Sequence, residues 1–253
     1  MTTQNGPVLV TGGARRIGKA IVETLAAAGY PVIIHASPRS AGEAQTLMRA
    51  VTAQGGRAAV VARDLAEDEA AEKIMAAAHE AFGPVAGLVN NASIFEPDHA
   101  DDFTRADFDR HMVVNLRAPL MLTRFFAAQS PKGGSVVNIV DQRVLRPNPL
   151  YFSYAISKAG LWAATKTMAQ AFAPQIRVNA VGPGPVLPNE HEGDAGFARE
   201  AAGVPLGRAV APQEIADAVL FLMRASGVTG QIIAVDSGQH LGWRTPDVVD
   251  GRA

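Results

Sequence analysis

Residues 8–18 read VLVTGGARRIG, and residues 19–29 continue as KAIVETLAAAG. The apolar start predicts a buried strand, and the apolar spacing after Gly18 predicts a helix that follows a tight turn. Glycines let the backbone of such a turn approach a pyrophosphate, and the first N–H groups of the helix give it positive potential. The turn departs from the general G-x-G-x-x-G fingerprint because it carries Arg16 at a middle position. Arg15 and Arg16 favour a highly charged ligand, although an ordinary strand–helix turn stays open as the alternative.

The rest of the chain repeats this alternation of strand and helix. Short apolar runs predict strands at 8–11, 32–35, 58–62, 87–90, 135–140, 176–181 and 232–235. Helical patterns lie near 16–28, 42–53, 67–82, 104–130, 152–172 and 212–224. Most of the runs are rich in Val and Ile and carry little charge, which is typical of a parallel sheet buried on both faces. We therefore predict one α/β domain over residues 1–253, a doubly wound Rossmann-type domain whose seven-stranded parallel sheet is flanked by helices.

Composition excludes several classes of function. The chain has 253 residues and a formal net charge of -1, so a broad basic surface and a nucleic-acid partner are not expected. It contains no cysteine, which excludes disulfides, thiolate metal sites and a cysteine nucleophile. The N-terminus MTTQNGPVLVTGG does not resemble a secretory signal, and no uncharged stretch is long and apolar enough to span a bilayer. We expect a cytoplasmic protein that does not bind membranes.

A long loop follows the sixth predicted strand. It begins as GPGPVLP at 182–188 and continues as the acidic stretch NEHEGD, with a short helix expected near 195–202. Ligands of an open α/β sheet lie beyond the carboxyl ends of its strands, so residues 184–203 are expected to cover a bound ligand.

Two polar segments, the acidic stretch around His191 and the C-terminal tail, are not expected to take part in catalysis or metal binding. His191 has acidic neighbours at Glu190, Glu192 and Asp194, but no spacing organises them as ligands. We expect a solvated acidic lid here and no metal. The polar tail at about 242–253 is expected to fray or to reach a neighbouring subunit.

The end of the second predicted strand distinguishes the two nicotinamide cofactors. An acidic residue at this place binds the adenosine ribose hydroxyls of NAD, yet residues 31–42 contain no Asp or Glu. They contain Ser37, Arg39 and Ser40, whose hydroxyls and guanidinium suit a 2′-phosphate. A solvated loop arginine is the alternative for Arg39. The sequence therefore favours NADPH.

A tyrosine and a lysine stand at the start of one predicted helix. Residues 154–158 read YAISK, so Tyr154 and Lys158 lie four positions apart and share one helix face. A nearby ammonium stabilises a phenolate and lowers the tyrosine pKa, which makes Tyr154 a usable general acid near neutral pH. The alternative for this pair alone is a packed tyrosine beside a surface lysine.

Two further polar side chains lie among apolar neighbours. Asp141 ends the strand SVVNIV thirteen residues before Tyr154, where it is poorly placed for packing and well placed for chemistry. Its alternative is an N-cap or an ion-pair partner of Arg143 or Arg146. Asn115 lies in the helical segment VVNLRAPL and needs a buried partner there. A satisfied core asparagine is its alternative.

With these motifs the chain resembles the classical short-chain dehydrogenase/reductase family over residues 11–238. The resemblance rests on the TG-x-x-x-x-x-G turn, Asp64-Leu65, the NNA motif at 90–92, Asn115, Y-x-x-x-K, the Pro-Gly motif after the sixth strand and the ending VDSG. It implies that Tyr154 is the general acid/base, that Lys158 binds the nicotinamide ribose and lowers the tyrosine pKa, and that Asn115 holds a relay water. It also implies a homotetramer formed through the helices near 104–130 and 152–172. The implied cofactor residues besides Lys158, Ser37, Arg39 and Ser40 are Gly12, Arg15, Arg16, Ile17, Gly18, Asp64, Leu65, Asn91, Ala92, Pro183 and Gly184.

Two departures from the common family pattern are similar to pteridine reductases. Asp141 replaces the usual serine and Arg16 replaces a usual glycine, while Phe95 follows the motif NAS. The PNEHE stretch also resembles bacterial dihydromonapterin reductases. This similarity implies a pterin substrate that stacks on Phe95 and contacts Arg16, Ser93, Asp141 and Tyr154. A reductase of other small carbonyl compounds, and a dinucleotide-sensing protein without turnover, are the alternatives.

Overall fold

The computed structural model describes residues 5–130, 133–188 and 193–242. The strands are β1 (Val8–Val10), β2 (Val32–Ala36), β3 (Ala58–Ala62), β4 (Gly87–Asn90), β5 (Gly134–Ile139), β6 (Ile176–Pro183) and β7 (Ile232–Val235). The α-helices are α1 (Arg16–Ala27), α2 (Ala41–Ala53), α3 (Ala70–Phe82), α4 (Arg105–His111), α5 (Ala118–Gln129), α6 (Phe152–Phe172), α7 (Gly193–Gly203) and α8 (Pro212–Arg224).

The seven strands of the described residues pair in parallel in one sheet of order β3-β2-β1-β4-β5-β6-β7. The order reverses between β1 and β4, and an open α/β sheet binds its ligand at this switch point, beyond the carboxyl ends of the strands. The predicted doubly wound Rossmann-type domain with a seven-stranded parallel sheet is confirmed. The predicted strand bounds differ from the observed ones by at most two residues.

Helices cover both faces of the sheet. Along β1, Val8 and Val10 join the buried cluster that contains α1, α2 and α8, whereas Leu9 joins the cluster of α3, α5 and α6. The buried side chains of a helix recur every three or four residues and form one apolar stripe. Burying one large aliphatic side chain of such a stripe contributes about 1.5–3 kcal/mol. The two layers therefore fix the carboxyl ends of the strands, where the site is formed.

The predicted helix over 104–130 is helical without a break from Arg105 to Gln129, but it is not α-helical throughout. It consists of α4, a π-helical turn over Met112–Arg117 and then α5. Pro119 lies in the first turn of α5 and has no N–H to donate to the carbonyl four residues earlier, which weakens regular α-helical bonding across the junction. The wider turn carries Asn115, which is fully buried.

The loop after β6 contains the expected short helix, α7, none of whose described side chains is buried. Gln239 Nε2 donates to Glu200 Oε1 over 2.7 Å and so ties α7 to the turn after β7. Residues 189–192, with Glu190, His191 and Glu192, lie outside the described residues, as does the tail from 243 onward.

Neither a metal-binding group of side chains nor a helix able to span a membrane is found within the described ranges. No group of His, Cys, Asp or Glu side chains there is arranged to hold a metal ion. None of the described helices combines the length and apolarity that a membrane span needs.

Candidate active site

The turn between β1 and α1 is shaped to receive an anion. Gly12 has a φ of +60°, and a Cβ on Gly18 would collide with the carbonyl oxygen of Gly12. Arg15 is the N-cap of α1 and makes no side-chain capping bond, so the first N–H groups of the helix have no acceptor from it. Close backbone packing and a positive helix terminus fit a pyrophosphate, and the roles of Gly12, Ile17 and Gly18 in binding it stay predictions.

A network of hydrogen bonds joins this turn to the end of β4. The Thr11 hydroxyl accepts from the backbone N–H groups of Asn91 at 2.9 Å and Ala92 at 3.0 Å. The Asn91 side-chain amide donates to the carbonyl oxygens of Thr11 at 2.9 Å and Gly12 at 3.1 Å. Asn91 and Ala92 are therefore held against the glycine turn at the switch point, and their contact with a cofactor stays a prediction.

The residues predicted for the adenosine end follow β2 and β3. Ser37 precedes a short 3-10 turn over Pro38–Ser40, in which Arg39 is exposed and Ser40 is buried. Asp64 Oδ1 accepts from Ala66 N at 2.9 Å, and the Leu65 side chain is buried beside it. The structure thus brings these residues to the same edge of the sheet as the glycine turn.

His35, at the end of β2, was missed by the sequence analysis. Its Nδ1 accepts from Gly12 N at 3.3 Å, and its Nε2 bonds to the carbonyl oxygen of Arg63 at 3.0 Å, which requires the proton on Nε2. Burial lowers the pKa of His35 to about 4, so the ring is neutral and can make both bonds. His35 therefore couples the phosphate turn to the start of the segment that carries Asp64. The only sequence signal was a single histidine ending an apolar run.

Arg16 has a left-handed backbone, with φ 53°, and its side chain crosses the cleft. Its Nη2 donates to the carbonyl oxygens of Pro188 at 3.0 Å and Leu187 at 3.4 Å. The structure places this guanidinium on the loop that follows Pro183 and Gly184. Its contacts with a cofactor phosphate and with a pterin stay predictions.

Tyr154, Lys158 and Asp141 form one buried cluster. The Tyr154 hydroxyl donates to Asp141 Oδ2 over 2.9 Å. Lys158 Nζ donates to the carbonyl oxygen of Ile139 over 2.8 Å and lies 5.6 Å from the centre of the Tyr154 ring. The helix α6 thus presents Tyr154 and Lys158 together to the carboxyl end of β5. Three of the four side chains predicted to carry the chemistry meet here, and the fourth is Asn115.

Burial and the neighbouring Asp141 carboxylate raise the pKa of Tyr154 well above 10, although the Arg143 cation opposes them. The direction is opposite to the sequence-based prediction, because Asp141 places a negative charge beside the phenol where the common family pattern has a neutral serine. Burial lowers the pKa of Lys158 to about 8, while Asp141 opposes that shift. Tyr154 is therefore held as a neutral phenol that can donate its proton.

Asn115 clamps two segments of the site together. Its Oδ1 accepts from Ile94 N at 2.9 Å and from the Ser93 hydroxyl at 3.1 Å. Its Nδ2 donates to the Ile94 carbonyl oxygen at 3.0 Å and to the Ser157 hydroxyl at 3.2 Å. These bonds use the full capacity of a side-chain amide. The geometry therefore favours the satisfied core asparagine over the predicted water-holding role.

Asp141 also bonds to its neighbour Arg143. Arg143 N donates to Asp141 Oδ1 over 2.8 Å, and Arg143 Nη1 donates to Asp141 Oδ2 over 3.1 Å. Asp141 therefore acts as the N-cap and ion-pair partner of Arg143, which was its alternative interpretation, and it also accepts a hydrogen bond from Tyr154. Arg146 instead donates to the Gln239 carbonyl oxygen over 3.4 Å.

Phe95 lies in the site, but it is already stacked. Its ring is 4.0 Å from that of Tyr151 at 17°, and 4.6 Å from that of Tyr154 at 85°. Tyr151 is buried and has a left-handed backbone, with φ 56°. One face of Phe95 is therefore covered by Tyr151, so the predicted stacking of a pterin requires the other face or a movement of Tyr151.

The comparisons with known proteins agree with this geometry. Residues 12–240 match the family described as enoyl-(acyl carrier protein) reductase. The structure is similar to that of the FolM alternative dihydrofolate reductase 1 from Brucella canis complexed with NADP, at 46% identity and a TM-score of 0.93, covering 97% of this chain and 98% of that one.

Two curated relatives are more distant. The chain is 35% identical over 240 residues to an uncharacterized oxidoreductase of Methylorubrum extorquens, covering 91% of this chain and 96% of the relative. It is 34% identical over 241 residues to the 3-oxoacyl-[acyl-carrier-protein] reductase FabG of Aggregatibacter actinomycetemcomitans, covering 91% of this chain and 98% of the relative.

Proposed function

The chain belongs to the short-chain dehydrogenase/reductase family, and from this membership we propose that it is an NADPH-dependent reductase of dihydropterins that acts on a C=N bond. The observation that carries the proposal is the hydrogen bond of 2.9 Å between Tyr154 and Asp141. It places a carboxylate, which accepts N–H groups, beside a phenol that donates a proton. The similarity to a dihydrofolate reductase at 46% identity supports the same substrate class.

The cleft at the switch point would hold the cofactor. When bound, NADPH supplies the hydride that reduces the substrate. The N-terminus of α1 would bind the pyrophosphate, and Ser37, Arg39 and Ser40 would bind the 2′-phosphate. Lys158 would hold the nicotinamide ribose, because its ammonium reaches the cleft from α6.

Tyr154 would deliver the proton to the substrate nitrogen. Its O–H bond breaks as the new N–H bond forms, and solvent later returns a proton to the phenolate. The raised pKa keeps Tyr154 protonated at neutral pH, so the proton is in place when the substrate binds. It also makes the phenol a weaker acid, and the Lys158 ammonium, 5.6 Å from the centre of the ring, would stabilise the phenolate that forms. Asp141, paired with Arg143, would accept an N–H group of the substrate.

A carbonyl reductase of another small molecule is the second candidate. The similarity to the 3-oxoacyl reductase FabG favours it, because the Tyr154 phenol could equally protonate an oxygen. A sensing protein without turnover remains a third proposal. Tyr154→Phe distinguishes an enzyme from a sensing protein, since in an enzyme it should abolish turnover and spare cofactor binding.

We also propose a cytoplasmic homotetramer with an interface around α4, α5 and α6. Ile156 of α6 and Phe103, just before α4, are large apolar side chains with 42% and 41% of their surface exposed. Sedimentation of the purified chain tests this assembly directly.

The deciding experiment is NADPH oxidation by the purified protein with dihydropterins, beside NADH and a panel of aldehydes and ketones. Turnover of dihydropterins with NADPH that is lost in Asp141→Ser is the expected result. Turnover of carbonyl compounds alone would overturn the pterin assignment while leaving the chemistry of Tyr154 in place.

A further inference from the structure

We propose that Arg143 is a substrate-recognition residue, which forms with Asp141 a donor–acceptor pair for a ring N–H group and a neighbouring ring carbonyl. The inference rests on the proposed function, because a dihydropterin carries such a lactam edge and a simple ketone does not. Asp141 would accept from the N–H group, and the guanidinium of Arg143 would donate to the carbonyl oxygen.

Asp141 fixes the position of Arg143. The guanidinium carbon lies 5.7 Å from the centre of the Phe95 ring and 5.6 Å from that of Tyr151, and these two rings are stacked 4.0 Å apart. A point almost equally distant from both centres lies beside the stack and not over a ring face, so the attraction of a cation to an aromatic face does not hold it. The Asp141 bonds at 2.8 Å and 3.1 Å do.

The same carboxylate oxygen brings Arg143 to the chemistry. Asp141 Oδ2 accepts from both Arg143 Nη1 and the Tyr154 hydroxyl. A carboxylate offers about four acceptor positions, of which Arg143 N, Arg143 Nη1 and Tyr154 use three. One position on Oδ1 is thus left for a donor, immediately beside the guanidinium.

The protein does not saturate the guanidinium. The side chain of Arg143 is 14% exposed, and its buried Nε finds no acceptor among the described residues. That Nε lies too deep to meet a ligand, so the donor for a carbonyl oxygen in the cleft would be the terminal nitrogen Nη2, which makes no hydrogen bond to a described residue.

The charge of Arg143 is retained in spite of this burial. Burial lowers its pKa, but the opposing interactions, of which the charge of Asp141 is the largest, outweigh burial and raise the pKa of Arg143 overall. A fixed cation beside the phenol therefore distinguishes between pterins that carry different groups at ring position 4. It attracts an oxo group and repels an amino group that has only N–H bonds to offer.

The test compares Arg143→Met with wild type on two ligands that differ at that position. One is a 2-amino-4-oxo dihydropterin, measured by its KM and kcat with NADPH. The other is a 2,4-diaminopteridine, measured by its inhibition constant. Arg146→Met is the matched control, because Arg146 lies three residues away and bonds to the Gln239 carbonyl oxygen.

We expect Arg143→Met to raise the KM for the oxo substrate about 10- to 100-fold, the range for a lost charged hydrogen bond, with the diamino ligand bound as well as before or better. The control should leave both constants unchanged. Arg143→Lys keeps a charged donor and should show a smaller rise in KM, which keeps the test valid if the Met variant does not fold. NADPH binding and thermal melting report on folding.

The outcomes separate the two proposals. Equal weakening of both ligands, or no change in either, would overturn the role of Arg143 while wild-type turnover of the dihydropterin upholds the proposed function. Absence of wild-type turnover would overturn the proposed function, and the inference with it.

Discussion

Replacing Asn115 by alanine distinguishes a clamp from a water-holding residue. The amide of Asn115 is 0% exposed and makes hydrogen bonds to Ile94, Ser93 and Ser157. Each bond contributes about 0.5–1.5 kcal/mol net, so the loss of all of them lowers the free energy of unfolding by about 2–6 kcal/mol. In a domain of about 150–250 residues, 1 kcal/mol corresponds to about 2–4 °C. We therefore expect the Tm of Asn115→Ala to fall by at least about 4 °C.

Thermal melting followed by circular dichroism measures this change, with kcat recorded on the same samples. Asn148→Ala is the control, because Asn148 is exposed and, among the described residues, its side chain makes only a local bond, from Leu150 N at 3.1 Å. Its Tm should match that of wild type. An Asn115→Ala variant that melts as wild type does, yet loses most of its kcat, would refute the clamp and restore the relay interpretation.

Three other predictions concern the cofactor and the proton. Because burial lowers the pKa of Lys158 to about 8, the cation is present below that pH and lost above it, so kcat/KM should fall above about pH 8 in a pH-rate profile. Asp141→Asn removes the carboxylate that opposes this shift, and the pH above which NADPH binding weakens in a fluorescence titration should therefore move lower. Arg39→Ala should reduce kcat/KM for NADPH about tenfold or more and leave NADH unaffected, and equal losses for both cofactors would contradict its assignment. Gly18→Ala should abolish NADPH binding measured by fluorescence titration, because its Cβ collides with the carbonyl oxygen of Gly12.

The strands could be predicted because a strand that is buried on both faces appears in the sequence as a short run of apolar residues. The apolar run of β5 and the acid that follows it located Asp141 at the carboxyl end of the sheet. Tyr154 and Lys158 are four residues apart, and this spacing placed both side chains on one side of α6. These features depend on neighbours along the chain or on a single helix face, and local sequence contains that information.

The remaining features depend on distances between segments. The pKa of Tyr154 is raised by burial and by a carboxylate oxygen 2.9 Å away on another element, so helix spacing alone gave the wrong direction. His35 bonds to Gly12 and Arg63, which come from two other parts of the chain. The stacking of Tyr151 on Phe95 likewise joins a loop to the start of α6 and has no counterpart in a sequence pattern.

The π-helical turn over Met112–Arg117 makes this part of the gene sensitive to length. Such a turn holds one residue more than an α-helical turn, and each residue of an α-helix advances by about 100°. A deletion of one codon would let the segment close into a regular helix and remove the wide turn that positions Asn115, whereas an insertion of one codon would rotate α5 by about 100° relative to α4. Substitutions outside Asn115 leave that geometry intact. Insertions and deletions here should therefore be far rarer among functional descendants of this sequence than single-residue replacements, and a deletion library scored for activity would reveal the difference.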